Sequence, residues 1–273
     1  MSKQQSPFER DVDEAWACLD EDDLVGAAAA LHSARAAEPD APEVFELEAG
    51  LALAREESES ALEAYVRWAE ADPDDPRPQI GAAELYFYEF GDPEGAARLV
   101  RDVLARGGLE VEEEADAHHL LGAILEAKGD RSGMMREWLA VLRLDAAAAA
   151  PKTVMPGEQF ERVAEQALDE LPAEVLEWLT NVPVLVADRP SEEMVLDGVD
   201  PRLLGMFSGV PMPEQSTTNG PPHVDVIHLF QRNLERETAG EEQLAEQIRI
   251  TVLHETAHFF GYEDDRLEEL GLG

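Results

Sequence analysis

Short breaks of proline, aspartate and glycine interrupt the first half of the chain at a regular interval. Pro39 stands in one break and Pro73 in the next, 34 residues later, and a further 34 residues lead to Gly107 and Gly108. The segments between the breaks are rich in alanine, leucine and glutamate, with apolar residues at helical spacing. This pattern predicts three or four helical hairpins between residues 11 and 145.

A helix-turn-helix unit of 34 residues resembles the tetratricopeptide repeat. Most of the signature residues of that repeat are missing, so we interpret the hairpins as divergent copies. Stacking of neighbouring hairpins covers the apolar face that each leaves open. Such an array either binds a peptide or protein partner or serves as a structural domain, and the sequence marks no groove that would decide between them. We interpret two apolar groups as core, residues 86–88 and the set Met134, Met135 and Trp138.

A run of alanines marks the end of the helical half. It extends from Ala146 to Ala150 and is followed by Pro151, which a helix interior does not tolerate. We therefore predict an all-α, tetratricopeptide-like repeat domain over residues 1–150 and a second domain over residues 151–273.

The second domain mixes helices with short strands. Residues 158–171 carry apolar side chains on one helical face, and a second short helix follows to about residue 179. Residues 181–188 and 224–230 are rich in β-branched side chains and predict strands. Between them lies a long loop rich in glycine, proline and serine, residues 189–223, with one further strand near residues 203–210. A last helix is expected from about residue 240 to 260, so the predicted fold class is α+β.

The last helix contains the sequence His-Glu-Thr-Ala-His, the HExxH pattern. His254 and His258 are four residues apart, which places both imidazoles on one helix face where they can bind one metal ion. Glu255 lies about 100° round the helix, poorly placed to be a ligand beside both histidines. It can reach a water molecule on the metal and act as a general base. The pattern therefore predicts a catalytic site for Zn²⁺.

Two further residues continue the pattern at three-residue steps. Gly261 can adopt the left-handed conformation that ends a helix and turns the chain back. That turn would bring Asp264 to the metal as a third ligand, leaving the fourth position for water, as in catalytic zinc sites. The neighbouring acids Glu263 and Asp265, or a more distant residue, remain alternatives for the third ligand.

The second half also resembles the bacterial minimal zincin-like metallopeptidase family, over about residues 156–273. The resemblance implies a zincin-like α+β fold, a peptidase activity, Zn²⁺ ligation by His254, His258 and Asp264, and Glu255 as the catalytic base. The matching stretches, in an order typical of the family, are residues 160–172, 181–188, 204–211, 225–230 and 250–271. Phe259 departs from the family, which often has a histidine there. No methionine follows His258 in the sequence, so we do not expect a standard metzincin, which has a later Met-turn under the metal.

Composition excludes several classes of partner. The chain has 21 basic and 60 acidic residues, a formal net charge of −39. Binding to nucleic acid or to an anionic membrane surface requires a basic footprint, so we expect neither partner.

The single cysteine, Cys18, cannot form an intrachain disulfide, which fits a reducing compartment. The first residues carry no apolar run typical of a secretory signal, and no stretch is long enough to span a membrane, so a cytoplasmic protein is expected.

Three hypotheses follow. The first is a zinc-dependent metallopeptidase that acts on a peptide or protein substrate, with a repeat domain that recruits a protein partner. The second is a non-catalytic adaptor in which the repeats bind a partner and the metal site is structural or silent. The third is metal-dependent hydrolysis of a non-peptide amide at the same site. Glu255 favours an enzyme, because a purely structural metal site has no use for a base. A substrate peptide would pair with a strand edge, at residues 203–210 or 224–230.

Overall fold

The computed structural model describes residues 5–148, 154–179, 182–211 and 225–262. The chain divides into two compact units, Met1–Asp145 and Ala146–Gly273. The predicted fold class is confirmed, since the described part of the first unit consists of helices and turns and the second combines helices with a small sheet. Within the described ranges, no helix is both long and apolar enough to cross a membrane.

Four helical hairpins form the described part of the first unit. In chain order they are α1 (Pro7–Asp20) with α2 (Leu24–Ala37), α3 (Pro42–Ala54) with α4 (Ser58–Ala71), α5 (Arg77–Glu84) with α6 (Pro93–Arg106), and α7 (Val111–Ala127) with α8 (Arg131–Ala147). The first helices of successive hairpins begin 34 or 35 residues apart. The predicted helical hairpins and their period are therefore confirmed.

The second helix of three hairpins begins in the same way. The Asp92 side chain accepts a hydrogen bond of 2.9 Å from the Gly95 amide and so caps α6. A Cβ atom at Gly95 would lie 2.4 Å from the Asp92 carboxylate, so a larger residue would displace the capping side chain. The same pairing, at the same distance, begins α2 and α8 between the residues Asp23 and Gly26 and the residues Asp130 and Gly133. This Asp-x-x-Gly start is a repeat signal that the sequence analysis did not use.

Aromatic side chains in the first unit have two different environments. Trp138 is buried, and its ring packs so closely on α7 that a Cβ atom at Gly122 would lie 2.2 Å away. Tyr88, by contrast, is 66% exposed, so its assignment to the core is wrong. It belongs to a π-helical turn, Leu85–Glu89, that extends α5. A π-turn shifts the register of the residues after it, and a 3.6-residue period therefore misplaces them.

The second unit contains a three-stranded sheet with helices before, between and after the strands. Its elements are α9 (Gly157–Asp169), α10 (Ala173–Leu179), β1 (Val184–Ala187), α11 (Glu192–Asp197), β2 (Gly205–Ser208), β3 (Val226–Phe230), α12 (Gln231–Arg236) and α13 (Glu241–Phe259). The strand order is β1-β3-β2, with β1 parallel and β2 antiparallel to β3. In the described ranges β3 is therefore central and β2 lies at an edge.

One face of this sheet packs against α13. Ile227 and Leu229 of β3 are fully buried in one apolar cluster with Ile248 and Val252 of α13, and Phe160 of α9 joins them. Because side chains alternate along a strand, His228 lies on the opposite face of the sheet.

The segment predicted as a long loop contains a short helix, α11. Ser191 caps its first turn by accepting a hydrogen bond from the Met194 amide, and Gly198 ends it at a φ of 103°. Six residues are too few for a helical period to stand out, and this explains why the sequence analysis missed the helix. Residues 212–223 of the predicted loop lie outside the described ranges, as does residue 224 of the predicted strand.

Candidate metal centre

The two histidines of the HExxH pattern meet near the C-terminal end of α13. The Nε2 atoms of His254 and His258 are 3.0 Å apart, and the two rings lie at 75° to each other. Two nitrogens bound at 2.0–2.1 Å to one tetrahedral zinc ion would be about 3.3 Å apart. The observed pair is close to this spacing, so the two side chains fit a shared metal ion.

The His258 ring is oriented by a backbone carbonyl. Its Nδ1 atom lies 2.9 Å from the carbonyl oxygen of Tyr262. A carbonyl oxygen only accepts hydrogen bonds, so Nδ1 must carry the hydrogen in this contact. In the neutral ring Nε2 then carries the lone pair, which is the form that binds a metal. The contact therefore selects the tautomer that a metal site needs.

Gly261 creates the turn that delivers this carbonyl. It has a φ of 83°, the left-handed conformation predicted for it from the sequence. The Gly261 amide donates to the His258 carbonyl, and the Tyr262 amide donates to the Ala257 carbonyl. These two bonds form a Schellman motif at the end of α13. The turn that ends the helix thus also orients one of its histidines.

Glu255 faces the edge strand of the sheet. The residue is only 6% exposed, and its Oε2 atom accepts a hydrogen bond of 2.7 Å from the Phe207 amide of β2. The Phe230 amide donates to the Leu204 carbonyl. The backbone N–H and C=O groups of Leu204 and of every second residue after it therefore point toward β3. The Phe207 amide consequently points away from β3, toward α13. This contact joins residues 48 positions apart, so no local sequence pattern predicts it.

Close packing brings β2 and α13 together. A Cβ atom at Gly205 would lie 2.5 Å from the Thr251 side chain and 3.2 Å from Cγ of Glu255. Phe259 is 3% exposed and packs edge-on against Phe207, with ring centroids 5.8 Å apart. The residue that departs from the family pattern therefore anchors the helix to the strand. Sequence-based prediction gave it no role.

The segment that leads into β2 is held by a buried amide. Asn233 of α12 is 4% exposed, and its Nδ2 atom donates to the carbonyls of Pro201 and Leu203 at 2.9 and 2.7 Å. The two bonds fix the path of the chain immediately before Gly205. Asn233 is a positioning residue that the sequence analysis did not single out.

Asp264, the predicted third ligand, lies outside the described residues, as do Glu263 and Asp265. Among the residues that the structure describes, no three histidine, cysteine, aspartate or glutamate side chains converge as a metal site. Among the described residues, the side chains of two of the three predicted ligands, His254 and His258, thus lie together. Glu255 follows His254 in sequence, and its side chain contacts β2.

The structure also bears on two further predictions, the structural role of His228 and the peptide-binding strand edge. His228 lies on the sheet face opposite α13, where its ring stacks on Phe230 and burial lowers its pKa. This fits the interpretation of His228 as a structural residue. The proposed peptide edge at residues 224–230 is wrong, because β3 is paired on both sides by β1 and β2. The other candidate, near residues 203–210, contains β2 at the edge.

Comparisons with known proteins complete the description. No curated protein matches the chain. The crystal structure of MamA protein is similar at a TM-score of 0.44 and 13% identity, over 64% of this chain and 88% of that one. The crystal structure of PilW, described as a widely conserved type IV pilus biogenesis factor, is similar at a TM-score of 0.46 and 13% identity, over 63% and 76% of the two chains.

Most of the second unit matches the model of a known protein family. The match begins at the last residue of α10 and includes β1, β2, β3 and α13, the helix that carries the histidine pair. Residues 179–273 match the family described as Zincin-like metallopeptidase, which confirms the predicted resemblance for this part of the chain.

Proposed function

We propose that the chain is a zinc-dependent metallopeptidase. The observation that carries the proposal is the convergence of the His254 and His258 Nε2 atoms, with the His258 ring held in its metal-binding tautomer by the Tyr262 carbonyl. We assign His254, His258 and Asp264 as the residues that would hold Zn²⁺. Asp264 follows the Gly261 turn by three residues, which supports its assignment over a residue distant in sequence. When bound, zinc lowers the pKa of a water molecule and polarises the carbonyl of the substrate.

Glu255 is the proton carrier in this proposal. Its carboxylate accepts the proton of the attacking water and later donates it to the nitrogen of the leaving amine. The hydrogen bond from the Phe207 amide fixes one carboxylate oxygen, so the direction in which the other oxygen points is constrained too. A carboxylate held in one orientation by the backbone does not need to be ordered during the reaction.

The edge strand β2 is the surface on which we place the substrate. The backbone groups of Gly205 and Phe207 point away from β3, so an extended peptide can pair with this edge. The Phe207 amide is already bonded to Glu255, and pairing would use the neighbouring groups. A substrate bound in this way lies alongside the catalytic helix, with its scissile bond near Glu255.

The same proposal assigns roles to the two halves of the chain. Residues 1–150 would be a protein-interaction domain of helical repeats, and residues 151–273 the peptidase domain. The compact units Met1–Asp145 and Ala146–Gly273 support this division. Because the chain has a net charge of −39, the partner of the repeats in this proposal is a protein rather than a nucleic acid or an anionic membrane. A cytoplasmic location remains part of the proposal.

The substitution Glu255→Gln tests the activity directly. The glutamine amide can still accept the Phe207 hydrogen bond, but it cannot accept a proton, so the site keeps its shape and loses its base. We expect hydrolysis of a peptide library to fall by about 10²–10⁴-fold, the usual contribution of a general base. Zinc content should stay at the wild-type level.

The other hypotheses give different results in this assay. A wild-type protein that binds zinc but cleaves no peptide in the library would favour the adaptor or an enzyme for non-peptide amides. Cleavage that persists at the wild-type rate in Glu255→Gln would contradict the role given to Glu255.

A further inference from the structure

The sheet face that does not pack against α13 carries a row of uncharged side chains. Leu185 of β1 and Met206 of β2 are both paired with His228 of β3, so the three residues lie side by side across the sheet. Because side chains alternate along a strand, all three point to the face opposite Ile227 and Leu229. Met206 ends this row at the edge on which we place the substrate.

The row is only partly covered by the rest of the chain. Leu185 is 49% exposed, and His228 and Met206 are intermediate between buried and exposed. Burial lowers the pKa of the His228 imidazole, so its ring is uncharged at neutral pH. Met206 therefore has a neutral neighbour on the β3 side and retains surface that a substrate can contact.

The charge of this face differs from that of the chain as a whole. Charged residues make up 30% of the sequence, and 60 residues are acidic. On this face, the positions of β1, β2 and β3 include no aspartate, glutamate, lysine or arginine. A charged substrate side chain beside Met206 would lose water and gain no ion pair with these strands. An apolar side chain would bury its own surface together with that of the methionine.

The backbone of β2 determines which substrate residue meets Met206. The N–H and C=O groups of Gly205 and Phe207 point away from β3, whereas those of Met206 point toward it. A peptide that pairs antiparallel with this edge therefore bonds on either side of Met206 and places one residue directly opposite it. Side chains of directly opposed residues share a face, with Cβ atoms about 4.5–5.5 Å apart. The substrate residues before and after this one face α13, so a single position close to the cut reaches Met206.

We propose that Met206 is a specificity-determining residue, which selects peptides with a large apolar side chain at the position opposite it. A methionine side chain is unbranched and flexible, so it adapts to leucine, phenylalanine or methionine rather than to one shape alone. The inference rests on the proposed peptidase function and on pairing of the substrate with β2. It adds the class of substrate and the residue that selects it.

Cleavage of a peptide library by the full-length, zinc-loaded protein tests this inference. The peptides have random sequences, and mass spectrometry identifies both products of each cut, so residue preferences are read at every position around the cleaved bond. For the wild type we expect apolar residues to be enriched at one position close to the cut. Glu255→Gln is included to show that the cuts come from this site.

Opposite charges at Met206 provide the main comparison. Met206→Lys should shift the preference at that position to aspartate and glutamate, and Met206→Glu should shift it to lysine and arginine. Each shift should be about three- to fivefold, the upper part of the range for one cross-strand pair. Met206→Leu should keep the apolar preference. A loss of stability lowers the cleavage of all peptides alike and cannot produce two opposite shifts at one position.

Leu185→Lys is the matched control. It places the same charge on the same face, but at the other edge of the described sheet. A substrate strand beside β2 lies three strand spacings from β1, about 14 Å. This exceeds the Debye length of about 8 Å at 0.15 M salt, so the preferences of this variant should equal those of the wild type.

Two results would overturn the inference, and they differ in what they mean for the peptidase. Cleavage with the wild-type preference in both Met206→Lys and Met206→Glu would reject the role of Met206 and leave the peptidase function in place. A zinc-loaded wild type that cleaves no peptide of the library would reject both.

Discussion

At the scale of single residues, the candidate site depends on contacts that no local sequence pattern contains. The spacing of His254 and His258 was sufficient to predict that they share a helix face, and the structure brings their Nε2 atoms to 3.0 Å. The partners that orient His258 and Glu255 are backbone groups, the Tyr262 carbonyl and the Phe207 amide respectively. Backbone groups are the same in every residue, so a sequence does not reveal which of them a side chain will meet.

Gly261 links the end of α13 to the orientation of His258. A substitution at Gly261 therefore tests whether this turn contributes to metal binding. Gly261→Ala places a Cβ atom on a residue with a φ of 83°, at a cost of about 1 kcal/mol. We expect unfolding in urea at a correspondingly lower midpoint. We also expect weaker zinc binding in competition with a chelating dye, because the Tyr262 carbonyl no longer holds His258 as firmly.

Gly261→Asn is the matched control, since asparagine tolerates the left-handed conformation. It should retain more of both properties than the alanine variant. Equal zinc affinity in the wild type and in a destabilised Gly261→Ala variant would show that the Tyr262 carbonyl has no role in metal binding.

At the scale of elements, the long periodic helices, the short helix α10 and the three strands could be predicted, whereas two six-residue helices could not. The hairpin helices and α13 are long enough for apolar spacing to define them, and the predicted helix at residues 240–260 corresponds to Glu241–Phe259. α11 and α12 have six residues each and were missed. The pairing order of the strands also could not be predicted. It depends on long-range packing, such as that of β3 on α13, and it decides which edge is open.

Gly205 sets how closely β2 approaches α13. In Gly205→Ala the added Cβ atom would meet the Thr251 side chain at 2.5 Å and the backbone carbonyl of His228 at 3.1 Å. Overpacking of this kind costs about 1–3 kcal/mol. We expect a lower melting temperature and a loss of peptidase activity greater than the loss of zinc, because the contact between Phe207 and Glu255 is disturbed first.

Thr251→Ala in the same background provides the control. It removes the side-chain atom that the new Cβ atom would meet and should restore part of the stability. A Gly205→Ala protein with the melting temperature and activity of the wild type would contradict the close packing described here.

At the scale of the whole molecule, the chain combines a helical array with a region that matches the zincin-like metallopeptidase family. The sequence was sufficient to predict both parts. The helical array has a 34-residue period, and the second region has the HExxH pattern together with the flanking stretches typical of the family. It did not reveal that Glu48 pairs with both Arg35 and Arg67, since these three residues stand in three different helices. Each of them alone is an ordinary charged residue on a helix.

The central claim is that His254, His258 and Asp264 hold one zinc ion. The most direct test is the zinc content of the purified full-length protein by mass spectrometry, measured for the wild type, His258→Ala and Asp264→Ala, with Asp265→Ala as the matched control. We predict about one zinc per wild-type chain, its loss in His258→Ala, weaker retention in Asp264→Ala and full retention in Asp265→Ala. A wild-type protein without zinc, even after reconstitution with the metal, would contradict the claim and the peptidase function that rests on it.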